Sequence, residues 1–271
     1  MSFFNSLFGK NKSKKGFETF APQPDDVKMW RATKQYAICK PCDCLNRKDD
    51  NRQDEELQLH GEKQDTNCEA WKLLEDLIAT AIEKESSEFA PGLEMPPEMW
   101  SLVSHLPSSI GELKSVKRLY LYDSNLVQIP SEIGEMENLE ELDIYTSCRL
   151  HWLPYEITRC HKLNKSRAST RALYGNYKHR PPFPRLGVDA LTKNFASGRC
   201  SVCNCSYAWE AGLQVWISLR VAKDVFPLLV NACSKECVDR LPQPADGYVN
   251  QPHLGGLEIK QPPMGSIRPR I

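Results

Sequence analysis

Apolar positions along this chain change their period twice. Between Trp71 and Ile82 they recur as Trp71, Leu74, Leu77, Ile78, Ala81 and Ile82, a spacing that gathers side chains on one helical face. Thr66-Asn67-Cys68-Glu69 ahead of them has the Thr-x-x-Glu capping form, and Ser86, Ser87, Pro91 and Gly92 break the pattern behind them. A helix is predicted from Asn67 to about Glu85. From Leu93 onward the chain repeats itself. Leu106-Pro107-Ser108-Ser109-Ile110-Gly111, Ile129-Pro130-Ser131-Glu132-Ile133-Gly134 and Leu153-Pro154-Tyr155-Glu156-Ile157 are copies of one phrase, offset by 23 and then 24 residues. Leu119 and Leu121 map onto Leu142 and Ile144 by the same step of 23. Farther on, Gln214 to Val221 alternates as a strand does, and Phe226 to Val230 supplies a second apolar run, so a hairpin is expected there.

The remaining stretches are polar or broken. Residues 1–65 read as a flexible polar arm with a cysteine cluster, 66–92 as a capping helix, 93–186 as the repeats and their caps, 187–241 as a cysteine-bearing module, and 242–271 as a Pro/Gly-rich tail without apolar periodicity. Met1 to Phe8 is too short for a signal-peptide core and is followed by Lys10, Lys12, Lys14 and Lys15, the reverse of the expected charge order. Such a start reads as a disordered initiating tail, with a short amphipathic helix on an anionic membrane as the alternative.

Three copies of a Leu-rich phrase at a period in the twenties resemble the leucine-rich repeats with Ile-Pro-x-x-Ile-Gly returns found in bacterial and plant intracellular proteins. The resemblance covers Leu106 to Leu163. It departs from the family where an Asn would ladder the turn, since Ser124 and Ser147-Cys148 stand there, and where Ser166 and Ala168 replace strand leucines. It implies an α/β fold: a short solenoid with an N-terminal capping helix, in which no copy buries its apolar side without a neighbour. Pro96, Pro97, Met99 and Trp100 suggest an irregular cap at the near end, and the far end is expected to be a cap too.

Side chains alternate along a strand, so the residues between the leucines should line the concave face in rows: Arg118, Tyr120, Tyr122; Glu141, Asp143, Tyr145; and Lys165, Arg167, Ser169. Tyrosines beside both signs of charge suit a protein-binding surface, and such repeats serve that purpose in the family they resemble. An exposed sheet face, where tyrosine is favoured in any case, is the plainer reading.

Cysteine supplies the remaining chemistry. Cys200-x-x-Cys203 lets two thiolates from one turn grip a tetrahedral ion, and Cys233-x-x-x-Cys237 follows with Ser234 placed to cap a short helix carrying Cys237. A knuckle pair, a hairpin and a pair at a helix start are similar to a treble-clef zinc module. Four thiolates close the coordination sphere, which implies structural zinc without a catalytic water. Cys205 could replace one ligand or sit beside them. Cys39-x-x-Cys42-x-Cys44 repeats the spacing of Cys200, Cys203 and Cys205, and with Cys68 or His60 could form a second site. Cys148 and Cys160 are expected in the core or turns of the repeats.

Composition narrows the partners. Thirty-five basic against 35 acidic residues leave no net charge, 11 cysteines point to thiolate or buried-thiol chemistry in a cytosolic chain, and no run approaches the about 18 apolar residues of a membrane span. No phosphate-binding loop, zincin helix, esterase elbow or dinucleotide turn is present. Two alternatives to a protein-binding role are weighed. Cys237-Val238-Asp239 has the Cys-x-Asp form of the nucleophile in some bacterial leucine-rich repeat ubiquitin ligases, but the match is three residues long and the chain after the repeats is short. Nucleic-acid binding would draw on Lys193, Arg199, Arg220, Lys223, Lys235 and Arg240, which alternate with Asp189, Glu210, Asp224, Glu236 and Asp239 and form no stripe.

Overall fold

The computed structural model describes Cys42, residues 57–187 and residues 198–263. The initiating tail and most of the arm expected from the sequence lie outside the described residues. Helix α1, Glu69–Glu83, begins two residues after the predicted start: Cys68 is its N-cap, and Thr66 makes no capping bond. Instead the Asn67 amide donates to Asp65 Oδ1 at 2.9 Å. Trp71, Leu74, Ile78 and Ala81 are buried, as the period requires.

The chain then enters a four-stranded parallel sheet in the order β1 (Glu88–Phe89), β2 (Arg118–Tyr120), β3 (Glu141–Ile144), β5 (Lys165–Ala168). Its first strand lies where the sequence shows only a helix break, followed by the short helices α2 (Pro91–Glu94) and α3 (Pro97–Trp100). Phe89, Leu119, Leu142 and Ser166 share one register position, so the 23-residue step of the sequence becomes a lateral step across the sheet. The return phrases form 3-10 turns at Ser108–Glu112, Ser131–Glu135 and Tyr155–Arg159. Leu106, Ile110, Leu119, Leu121, Ile129, Ile133, Leu142 and Ile144 are buried in one continuous core, each contributing about 1.5–3 kcal/mol.

The Ile-Gly of the phrase has a packing reason. A Cβ on Gly111 would stand 2.7 Å from the Glu132 carbonyl oxygen, and one on Gly134 would stand 2.5 Å from that of Glu156, so each return presses on the backbone of the next. In the third copy Thr158 takes the glycine position, and its Oγ1 donates to the Tyr155 carbonyl at 2.8 Å. The departures in the turns have a reason as well. Ser124 Oγ donates to Ser147 Oγ at 2.8 Å, and Ser147 Oγ donates to the Leu121 carbonyl at 2.8 Å, so two buried serines satisfy polar groups inside successive turns.

Beyond the third return, β6 (Leu213–Val221) and β7 (Asp224–Ala232) form the expected hairpin around a two-residue turn in which Ala222 has φ +52°. β7 also pairs in parallel with β4 (Leu153–Pro154), the strand that opens the third return phrase. At the hairpin tip Ser166 Oγ donates to Asp224 Oδ2 at 2.7 Å and accepts from the Lys223 amide at 3.2 Å. The serine that breaks the leucine pattern is therefore a docking point. Helix α4, Lys235–Asp239, follows with Ser234 at its N-cap.

Residues 242–263 have no regular element, yet they are fastened down, unlike the unassigned tail the composition predicts. The backbones of Trp216 and His253 exchange hydrogen bonds, Ala245 donates to Ser218 O, and Gly256 donates to Phe183 O. Gly255, at φ +76°, passes so close to Pro184 that a Cβ would stand 2.0 Å from its carbonyl oxygen. Beneath this strap Leu59, Trp152, Tyr174, Phe183, Leu186, Trp216 and Leu229 make a second core, with Trp216 Nε1 donating to Pro184 O at 2.9 Å. Tyr174 and Phe183 come from the far end of the stretch 93–186.

Candidate functional site

Two surfaces carry the sequence-predicted residues. The first is the open face of the parallel sheet. Register puts Glu88, Arg118, Glu141 and Lys165 in one row of alternating charge, with ion pairs between Arg118 and Glu88 and, at 4.0 Å, between Lys165 and Glu141. The next row is Tyr120, Asp143 and Arg167. Arg118, Tyr120 and Glu141 are half-buried, while Tyr145, Lys165 and Arg167 are exposed. Two residues depart from the expected open rows. Asp143 is buried because its carboxylate accepts from the Tyr145 amide at 3.0 Å and pairs with Arg167 at 3.6 Å, while that guanidinium stacks 4.2 Å over the Tyr145 ring. Tyr122 is buried and packs edge-on to Tyr120 at 6.5 Å.

The second is the cysteine cluster. The Cys200-x-x-Cys203 turn and the start of α4 converge so that Cys203 Sγ and Cys237 Sγ each lie 3.6 Å from Cys233 Sγ, and all four sulfurs of Cys200, Cys203, Cys233 and Cys237 fall within 4.8 Å of one another. Neighbouring sulfurs on a tetrahedral ion with bonds of about 2.3 Å stand about 3.8 Å apart. The geometry is therefore compatible with a bound metal.

The surroundings favour a thiolate at Cys200. Burial raises the Cys200 thiol, but amide hydrogens from Cys203, Cys233 and Val202 outweigh it and bring the group down to about 6. Cys233, hydrogen-bonded to Cys203 and Cys237 and facing the charge on Cys200, is pushed up to about 12. Crowded sulfurs cannot all ionise without a cation, which is the electrostatic condition a metal relieves. Arg240 Nη2 donates to Cys237 Sγ at 2.9 Å and supplies part of the balancing charge.

This cluster is joined to the third repeat. Arg159 donates to the Ser201 carbonyl at 2.8 Å and to that of Cys200 at 3.4 Å, and Ser201 Oγ donates to the buried Glu156 carboxylate at 2.8 Å. The return phrase that lost its glycine thus meets the cysteine turn where another repeat would have stacked. Cys205, left open as an alternative ligand, is exposed and outside the cluster. Cys160 is buried with its thiol donating to Ile133 O at 3.2 Å, and burial pushes it up to about 12. Cys148, expected in the core or a turn, is half-buried and disulfide-bonded. Cys39 and Cys44 lie outside the described residues. Cys68, a candidate for the same set, turns away to the Asp65 carbonyl at 3.0 Å.

No protein-family model and no curated protein matches the chain. Among solved structures it is similar to an LRR protein of Leptospira interrogans, 30% identical over 24% of this chain and 18% of that one, with a TM-score of 0.22. The similarity thus spans under a fifth of that protein's length. No described helix is long and apolar enough to cross a membrane.

Proposed function

We propose that this chain is a non-enzymatic interaction scaffold of the cytosol: a short leucine-rich repeat solenoid that binds a protein partner on its concave face, closed at its far end by a treble-clef-like structural zinc module. The observation that carries the reading is the row Glu88, Arg118, Glu141, Lys165 beside Tyr120 and Tyr145, an open sheet face with aromatic anchors and charges held in register. Cys200, Cys203, Cys233 and Cys237 would hold the zinc, and the ion would neutralise the crowded thiolates and lock the knuckle to α4. Four sulfur ligands leave no coordination position for a substrate. The Cys-x-Asp reading loses support from the same geometry, because Cys237 is 3% exposed and packed against Cys233. The basic residues of the cysteine-bearing module alternate with acidic ones along the sequence, which favours a protein partner over a nucleic acid.

A pull-down from cell extract tests the face. The intact chain should capture a discrete protein, and Tyr120→Ala with Tyr145→Ala should abolish capture while thermal stability stays nearly unchanged. Retained capture would move the binding surface elsewhere on the molecule.

A further inference from the structure

Away from the four-cysteine cluster, a second set of ligand atoms comes together from distant parts of the chain. Cys42 Sγ lies 3.1 Å from His60 Nε2, and His60 Nε2 lies 3.1 Å from His151 Nε2; the three atoms fall within 4.8 Å of one another. A tetrahedral ion with bonds of about 2.0 Å to nitrogen and 2.3 Å to sulfur sets its neighbouring ligands about 3.3–3.6 Å apart. The observed spacing is within a few tenths of that.

Both imidazoles are oriented from behind. His151 Nδ1 is 2.7 Å from the Ala172 carbonyl, which can only accept, so Nδ1 carries the hydrogen and Nε2 presents its lone pair. His60 Nδ1 lies 3.1 and 3.2 Å from the carboxylate oxygens of Glu62, which fixes the same tautomer. Glu62 is itself held by an ion pair with Arg149. A carboxylate or carbonyl behind each histidine is the usual outer support of a metal-bound imidazole. Two lone pairs facing each other at this distance repel unless positive charge lies between them. A shared proton would satisfy one of the two contacts around His60 Nε2, whereas a cation satisfies both.

We infer that Cys42, His60 and His151 form a second metal site, which takes a zinc-class divalent cation and ties Cys42 and His60 to the third repeat. One thiolate with two imidazoles is a borderline donor set, suited to zinc and its neighbours rather than to calcium or magnesium. His151 is wholly buried just before β4, so this ion would sit on the same repeat that docks the four-cysteine module. It would clip loops of 18 and 91 residues.

The test is metal content of the full chain purified without chelator. The intact protein should carry two ions, and His60→Gln and Cys42→Ala should each carry one. Cys203→Ser with Cys237→Ser should retain the ion at the histidines. Cobalt exchange gives a second readout that needs no variant: the spectrum should contain a four-thiolate component and a weaker one with mixed nitrogen and sulfur ligands. One ion in the intact protein that survives His60→Gln, two ions in both single variants, or a purely thiolate cobalt spectrum would each overturn the site. If the four-cysteine reading alone is wrong, the intact protein carries one ion and His60→Gln removes it.

Discussion

In the repeats each layer buries the same few positions as the layer before it, and Leu119 and Leu142 stand side by side because the chain returns after 23 residues to the same position. The C-terminal hairpin has no such neighbour. One face of it continues the apolar core of the repeats through Ile217, Leu219, Phe226, Leu228 and Val230, while its own additions are the four cysteines and an aromatic group around Trp216 under a strap of residues 242–263. Repetition stabilises the first region through many equivalent contacts, each worth a small amount. The second region shares that core and adds a few singular contacts, the cysteines and the strap, and so should be more sensitive to single losses.

The largest effect should follow removal of the thiolate ligands. If the four cysteines hold the proposed ion, Cys203→Ser with Cys237→Ser, or treatment with a strong chelator, should forfeit most of its contribution to folding, which reaches about 10–16 kcal/mol in isolated zinc modules. The loss should fall unevenly. Amides of β6 and β7 should exchange hydrogen rapidly, together with β4 to which β7 is paired, while β2 and β3 keep their protection. Unchanged protection in β6 and β7 would mean that the Trp216 cluster holds the hairpin without metal and that the contrast between the regions is overdrawn.

A middle-sized effect comes from the strap. His253 is buried against Phe183 at 4.5 Å, its Nδ1 accepts from the Gly255 amide at 3.1 Å, and its Nε2 has no described hydrogen-bond partner. Burial lowers its imidazole to about 4. An unfolded histidine takes up its proton near pH 6.5, so between those values the unfolded state binds the extra proton and stability falls with falling pH. The full contribution is present above about pH 6.5, and at most about 3 kcal/mol is lost on descending to pH 4. His253→Asn, which keeps an acceptor for Gly255, should remove this slope. The measurement is the difference between the two proteins in denaturant midpoints across that range, which cancels the acid lability common to both. Parallel curves would show that the strap opens before His253 is protonated.

How much of this was legible in the sequence follows from the range of each interaction. The repeats announce themselves because their contacts recur at one step, and the four-cysteine cluster because each pair lies within one turn of chain. Even the hairpin shows, since its strands alternate and are adjacent. The strap does not show: Gly255, Gly256 and His253 matter through contacts with Pro184, Phe183 and Trp216, which no local pattern records. β1 is missed because two residues, Glu88 and Phe89, are too few to display a period. Cys42, His60 and His151 escape for the same reason as the strap. The sequence raised Cys42 and His60 as partners but gave no reason to add His151, a lone histidine 91 residues from His60. Ser166 was visible only as a departure from the leucine pattern. It acquires a reason once Asp224 and Lys223 are placed beside it.

The smallest stability effect belongs to the charged row, and there a null result in one assay sharpens the comparison. Lys165 and Glu141 stand 4.0 Å apart, with side chains 63% and 30% exposed, so water and salt screen most of their attraction. Glu141→Gln and Lys165→Gln should each change folding stability by less than about 1 kcal/mol, with the difference shrinking further in added salt. Partner capture should respond otherwise, since charges at a rim steer encounter and fix register even where they add little to the fold. Weakened, salt-sensitive capture without loss of stability would assign the row to recognition. A stability loss as large as that from an apolar core substitution would instead make the row part of the sheet's own support.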